Sequence, residues 1–352
     1  MEVKNFRFAA LLEKGKVVVQ EGNLPLLNND EVLIKQEACN ICTTDYQQWQ
    51  GKREHQGYPM AGGHECSGLI IKKGEQVSNN INIGDRISVV YDYCGYCENC
   101  KKGKITDCKN VAQFGKNYSD KYYGIFGFAN YFIRKEKNVV TLNKSLSPTE
   151  GGFVEPLSSV IHGIKKLNIN SNNNVDNIVI IGAGTMGLLN ALVAKSYGAN
   201  IIISERNPKK VKKAREMGFE VYDVNKVDPI KEIYKHIKNG PDVVIIAVGT
   251  ESANDQALKL IKENDGKILF FAAGYPAPGL SIDSNLIHYR ELSLIGTYGS
   301  TLQDFKDAAN LLSSKKIDVR PLIEECYPLS RIQEAFEKAS TRGSYRVSVI
   351  LN

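Results

Sequence analysis

Asn177-Ile178-Val179-Ile180-Ile181-Gly182-Ala183-Gly184-Thr185-Met186-Gly187 is the stretch on which the fold turns. An unbroken β-branched run enters a glycine-rich turn, and an apolar helical pattern follows over 185–197. G-x-G-x-x-G alone is weak, but set between a strand and a helix it is a dinucleotide-binding fingerprint. Gly182 allows the tight turn, Gly184 lets the backbone approach a pyrophosphate, and Gly187 permits close helix–strand packing. The free N–H groups at the helix start, where Thr185 and Met186 lie, favour an anion.

An acid, Glu205, ends the next strand candidate about twenty residues on, where the fingerprint requires one. A carboxylate there hydrogen-bonds ribose hydroxyls and repels a 2′-phosphate, which favours NAD over NADP. The adjacent Arg206 is the counter-signal, since a guanidinium could hold that phosphate. Val248, at the end of a further strand candidate, completes the cofactor-binding set. Strand candidates at 177–181, 201–204, 243–248, 268–272 and 292–295 alternate with helices near 185–197, 209–217, 230–238 and 254–262. This alternation builds an α/β, doubly wound parallel sheet covered on both faces.

Before it, the chain reads differently. Short β segments at 17–19, 32–35, 67–72 and 86–90 are separated by glycine-rich turns, with Gly84-Asp85 preceding the last. Ser147-Pro148-Thr149-Glu150 marks a helix start, and a polar spacer occupies 171–176. After the sheet come helices at 302–313 and 332–339 and a last strand at 347–351. That strand could return to the first domain and make it discontinuous.

The length of 352 residues suggests two domains, and 42% hydrophobic residues suffice for their cores. No apolar stretch could span a bilayer, and the charged N-terminus does not resemble a signal peptide, so a soluble cytoplasmic protein is expected. The net charge of +6 comes from scattered lysines. Lys209, Lys210, Lys212 and Lys213 follow Pro208 with helical spacing, which reads as a solvated face and not as a nucleic-acid surface.

Cys94, Cys97, Cys100 and Cys108 sit in one short loop, spaced to wrap a single tetrahedral ion, the usual form of structural zinc. Lys109 and Asn110 follow, without the proline usual in an iron–sulfur run. Two further fragments supply the other ligand types. Cys39-Asn40-Ile41-Cys42-Thr43-Thr44-Asp45 offers a thiolate at Cys42, and Gly62-Gly63-His64-Glu65-Cys66 offers imidazole and carboxylate. Cys39 and Cys66 read as small core residues.

C-x-T-D, G-H-E, the four-cysteine lobe and G-x-G-x-x-G, in this order and at this separation, resemble the zinc-dependent medium-chain dehydrogenase/reductases. The resemblance covers essentially the whole chain and is nearest to the sorbitol/polyol and threonine dehydrogenase branches. It implies a GroES-like β-rich catalytic domain from 1–153 and 297–352, around a Rossmann NAD-binding domain at 154–296. It also implies two zinc ions per chain, one structural in the lobe and one catalytic. By position, Cys42 and His64 would hold the catalytic zinc, with Glu65 as a ligand or close neighbour. Glu155, in Phe153-Val154-Glu155-Pro156-Leu157, would be a fourth ligand or the holder of a zinc-bound water. Thr44 would relay the substrate proton, and Asp45 would accept the second N–H of His64.

The reaction so implied moves hydride between a secondary alcohol or polyol and NAD, giving a ketone. The alternatives are a threonine- or 2,3-butanediol-type dehydrogenase and a non-catalytic nucleotide-binding protein. The second would have eroded ligands, whereas Cys42, Thr44, His64, Glu65 and Glu155 are all present. Gln48, Trp49, Phe114, Tyr298 and Ser300 are the candidates to line the substrate pocket. Trp49 agrees with the polyol branch, but Gly296-Thr297-Tyr298-Gly299-Ser300 lacks the arginine that sorbitol-type enzymes use. The only partners expected are the small-molecule alcohol and further copies of the chain, as a homodimer or homotetramer.

Overall fold

In the computed structural model, which describes residues 3–53, 57–111, 118–169 and 176–351, Asn177–Ile181 lies inside a six-stranded sheet. Asn200–Glu205 and Val243–Ile246 flank it in parallel. Glu220–Asp223 extends the sheet on one side, and Lys267–Phe270 and Ser293–Gly296 extend it on the other. Counted along the chain the strand order is 3-2-1-4-5-6, so the order reverses at the glycine turn. Ile178, Val179 and Ile180 are wholly buried, as a strand covered on both faces requires.

Helix starts follow from local chemistry. Asn207 accepts from the Lys209 N–H and Asp228 from the Ile230 N–H, each just before a proline that opens a helix, Pro208–Glu216 and Pro229–His236. Ser147 caps Pro148–Gly151, where the sequence predicts a helix start, and its N–H donates to Glu150 Oε2 at 2.9 Å. Two details differ from expectation. The fourth sheet strand ends at Ile246, so Val248 lies in the loop after it. Glu220–Asp223 has too few apolar residues to stand out by pattern and is a strand because its neighbour pairs with it.

The chain divides into two compact units, 159–299 and the two ends of the chain, 1–158 with 300–352. In the second of these the larger sheet runs Ile323–Pro328, Arg346–Ile350, Glu31–Asn40, Glu65–Lys73, Arg86–Val89, Val139–Leu142. The C-terminal strand pairs antiparallel with Glu31–Asn40, Ser348 opposite Asn40 and Val349 opposite Cys39. Ile34, Cys39, Cys66, Ile70, Phe336 and Val347 belong to the core there. Among the described residues no helix is long and apolar enough to cross a membrane. Phe114 and nearly all of the polar spacer at 171–176 lie outside the described residues.

Candidate metal and cofactor sites

Strand register brings the first donor set together. Asn40 pairs with Glu65, which places Glu65 beside the turn that carries Cys42. Cys42 caps the helix Thr43–Trp49, and Asp45 in its first turn accepts from the Cys42 N–H at 2.9 Å and the Gly63 N–H at 3.3 Å. Gly63 has φ +88°, and a Cβ there would meet Phe128 at 2.8 Å, so only glycine delivers His64 in this way. His64 Nδ1 lies 3.6 Å from Asp45 Oδ1, which leaves Nε2 for a metal. Donor atoms of Cys42, His64 and Glu65 all lie within 4.8 Å of one another. A thiolate, an imidazole and a carboxylate so gathered suit zinc. Burial opposes charge on His64, but Asp45 and Cys42 outweigh it and raise the imidazole pKa.

Glu65 has a partner that sequence reading missed. Arg346, at the start of the C-terminal strand, donates Nε to Oε2 at 2.8 Å and Nη2 to Oε1 at 2.6 Å. Both side chains are buried. Burial pushes the Glu65 carboxyl up to about 7, with Arg346 opposing the rise and Glu155 adding to it. Glu155 is itself buried, lies on the helix Val154–Lys165, and accepts from the Tyr91 O–H. It stands outside the three-donor group but close enough to act on Glu65. No local pattern marks Arg346 or Tyr91, because each meets its carboxylate across a long chain separation.

Cys94, Cys97, Cys100 and Cys108 form a second group, again with all donor atoms within 4.8 Å. The Cys94 N–H donates to Cys108 Sγ at 3.2 Å and the Cys97 N–H to Cys94 Sγ at 3.3 Å, bonds that favour thiolates. Backbone N–H groups of Cys100 and Lys109 lower the Cys97 thiol to about 6. Four sulfur donors with no open position fit a closed structural zinc.

The glycine turn has the features a pyrophosphate needs. Gly182 adopts φ +103°, and a Cβ at Gly187 would overlap the Gly182 carbonyl oxygen. At Gly184 a Cβ would meet only Lys210 Nζ, at 3.4 Å, so the backbone there is open to a ligand. Val248 packs beside Gly182, 3.4 Å from where its Cβ would be. Thr185 is buried and Met186 half-buried at the helix start. Glu205 Oε2 accepts from the Ala183 N–H at 2.7 Å, and Oε1 accepts from the N–H groups of Arg206 and Asn207 at 2.7 Å each. The Arg206 side chain is exposed.

Thr44, Asp45, Gln48 and His64 line a cavity of about 40 Å³, room for water but not for a sugar alcohol. Gln48 is buried and donates to the Gly57 carbonyl at 3.3 Å. Trp49 packs against Phe336, with ring centroids 6.2 Å apart. Tyr298 is exposed, whereas Ser300 is buried, its N–H donating to Thr106 Oγ1 at 3.1 Å.

Residues 28–144 match the alcohol dehydrogenase GroES-like domain, and 185–314 match the zinc-binding dehydrogenase domain. An uncharacterized zinc-type alcohol dehydrogenase-like protein of Haemophilus influenzae is 30% identical over 330 residues, 92% of either chain. The sorbitol dehydrogenase of Halalkalibacterium halodurans is 29% identical over 346 residues, 95% of either chain. A putative zinc-binding dehydrogenase from Sinorhizobium meliloti, solved bound to NADP, superposes with a TM-score of 0.86 at 26% identity, covering 98% of this chain and 99% of that one. The chain belongs to the zinc-type medium-chain alcohol dehydrogenases, oxidoreductases of alcohols and polyols built from a GroES-like and a Rossmann-like domain.

Proposed function

We propose that this enzyme is an NAD-dependent zinc dehydrogenase that oxidises a secondary alcohol or polyol to a ketone. The observation that carries the reading is the gathering of Cys42, His64 and Glu65 donor atoms within 4.8 Å, with Thr44 two residues from Cys42. Cys42 and His64 Nε2 would hold the catalytic zinc, Glu65 and Glu155 would serve as ligand or water-holding carboxylates, and the four-cysteine lobe would hold a structural zinc. Zinc bound among these donors acts as a Lewis acid that eases loss of the alcohol proton, while a bound nicotinamide accepts the hydride.

The chain's own residues do the rest. The Thr44 Oγ receives the alcohol proton and passes it on. Asp45 fixes the His64 tautomer so that Nε2 remains a donor. Arg346 balances the Glu65 charge and holds its orientation. N–H groups at the helix start, from Gly184 onward, cradle the pyrophosphate, and Glu205, fixed by three backbone N–H groups, meets the adenosine ribose. NAD is preferred because that carboxylate would oppose a 2′-phosphate; Arg206 and the NADP of the Sinorhizobium protein are the reasons to test it. We place the enzyme in the cytoplasm, where the thiolates of both clusters stay reduced. We also infer a homodimer or homotetramer. Ser293–Gly296 is an edge strand, and Leu286 and Tyr289 on the helix before it are exposed.

The deciding experiment offers polyols, polyol phosphates, vicinal diols and threonine with NAD⁺ and with NADP⁺, reading nicotinamide absorbance. Turnover of a polyol with NAD⁺ is expected. Turnover confined to threonine or a diol would overturn the substrate class, and preference for NADP⁺ would overturn the role given to Glu205.

A further inference from the structure

We propose that Tyr91 positions the Glu155 carboxylate at the metal site, so that the segment leading into the four-cysteine lobe helps to set the reacting centre. This rests on the reading of Cys42, His64, Glu65 and Glu155 as that centre. The Tyr91 O–H donates to Glu155 Oε1, and every residue involved belongs to the unit formed by the chain ends. Glu155 is buried, so its charge needs a partner. With the phenol on Oε1, Oε2 is the oxygen that can turn to a metal or to its water.

Tyr91 is held in turn. Its ring stands edge-on to Phe305 at 90°, centroids 5.1 Å apart, and its carbonyl accepts from Asn138 Nδ2 at 2.7 Å. Three residues later Cys94 opens the lobe, where Lys137 Nζ donates to the Cys94 carbonyl at 3.1 Å. The main chain of Glu155 is tied to the same lobe by another route. The Ser158 hydroxyl donates to the Glu155 carbonyl at 2.7 Å and is hydrogen-bonded to Ser300 Oγ at 2.9 Å. The Ser300 N–H donates to Thr106 Oγ1, in the turn Ile105–Asp107 just before Cys108. Both ends of the lobe therefore run to Glu155, one to its side chain and one to its backbone. A donor on a metal-site carboxylate fixes its orientation and tempers its basicity, and loss of such a partner typically changes metal affinity or activity about 10-fold or more.

Tyr91→Phe keeps the ring against Phe305 and removes only the phenol. In the cobalt(II)-substituted protein it should alter the visible absorption of the Cys42 site and speed release of that metal to a chelator about 10-fold. The kcat should fall by a similar factor while the KM for NAD⁺ stays unchanged. In a Glu155→Ala background the same substitution should have no further effect. Phe305→Leu, which loosens the ring but keeps the phenol, should shift the spectrum in the same direction by less. An unaltered spectrum and release rate in Tyr91→Phe, or an equal effect in both backgrounds, would overturn the proposal. If Glu155→Ala alone left spectrum and turnover unchanged, the reading of Glu155 would be at fault, and the role of Tyr91 would fall with it.

Discussion

Arg346 and Glu65, 281 positions apart in the chain, meet through two hydrogen bonds, and Arg346 Nη2 also lies 3.8 Å from Cys42 Sγ. The pair is almost fully buried, with side-chain exposures of 5% and 0%. Removing the guanidinium would strip the buried Glu65 carboxyl of the two hydrogen bonds and the charge that keep its pKa from rising further. Arg346→Met should cost about 3 kcal/mol in urea unfolding at neutral pH. Arg346→Lys should recover only part, because an ammonium cannot make the forked contact. A loss within error of zero would show that Glu65 does not need this partner.

The two sulfur-bearing sites should separate by metal analysis. Cys42→Ser should lower zinc from two to one per chain and abolish turnover, leaving NAD⁺ binding intact. Cys100→Ser should also remove one zinc, but its main effect should be a Tm lower by about 5 °C or more. Full zinc content in Cys42→Ser, or retained turnover, would contradict the assignment of that site.

Glu205 accepts from the Ala183 N–H in the glycine turn and from the N–H groups of Arg206 and Asn207 after its own strand, besides the ribose contact proposed for it. Glu205→Ala should therefore weaken NAD⁺ binding about 10-fold or more and shift preference toward NADP⁺. Arg206→Ala should act oppositely on NADP⁺ and leave NAD⁺ nearly unaffected. Isothermal titration with each cofactor checks both; an unchanged ratio in Glu205→Ala would remove the ribose contact from the account.

Asp242 ties two strand starts, accepting from the Asn177 N–H and from Lys262 Nζ, each at 2.9 Å. Burial alone would raise this carboxyl, but those donors outweigh it and hold its pKa below the ordinary value. A folded pKa below the unfolded one gives stability that is present above the unfolded value and fades as pH falls through the folded one. Asp242→Asn should cost about 1 kcal/mol at pH ~7, and the gap from the parent chain should close below pH ~4. A gap independent of pH would mean that charge is not what matters there.

The dinucleotide turn was legible because its chemistry is local: strand, glycines and helix start are consecutive, and each glycine has a steric reason. The cysteine lobe was legible for the same reason. Strand ends were read less well. Val248 lies beyond the strand Val243–Ile246, although the apolar run predicts a strand over 243–248, and Glu220–Asp223 becomes a strand only beside a neighbour. Trp49 and Ser300 read as pocket residues from their resemblance, yet their contacts, Phe336 and Thr106, are set by packing that no spacing encodes.

Sequence by itself determined the ligand types, the phosphate-binding turn and the alternation that builds a parallel sheet, since these depend on residues within a few positions of one another. Tertiary structure decided which carboxylate stands with Cys42 and His64 and what holds it. Register between Glu31–Asn40 and Glu65–Lys73 brings Glu65 to the turn carrying Cys42, and the returning C-terminal strand delivers Arg346 to it. A buried charge takes its partner from whichever segment the folded chain brings near, and only three-dimensional packing makes that choice.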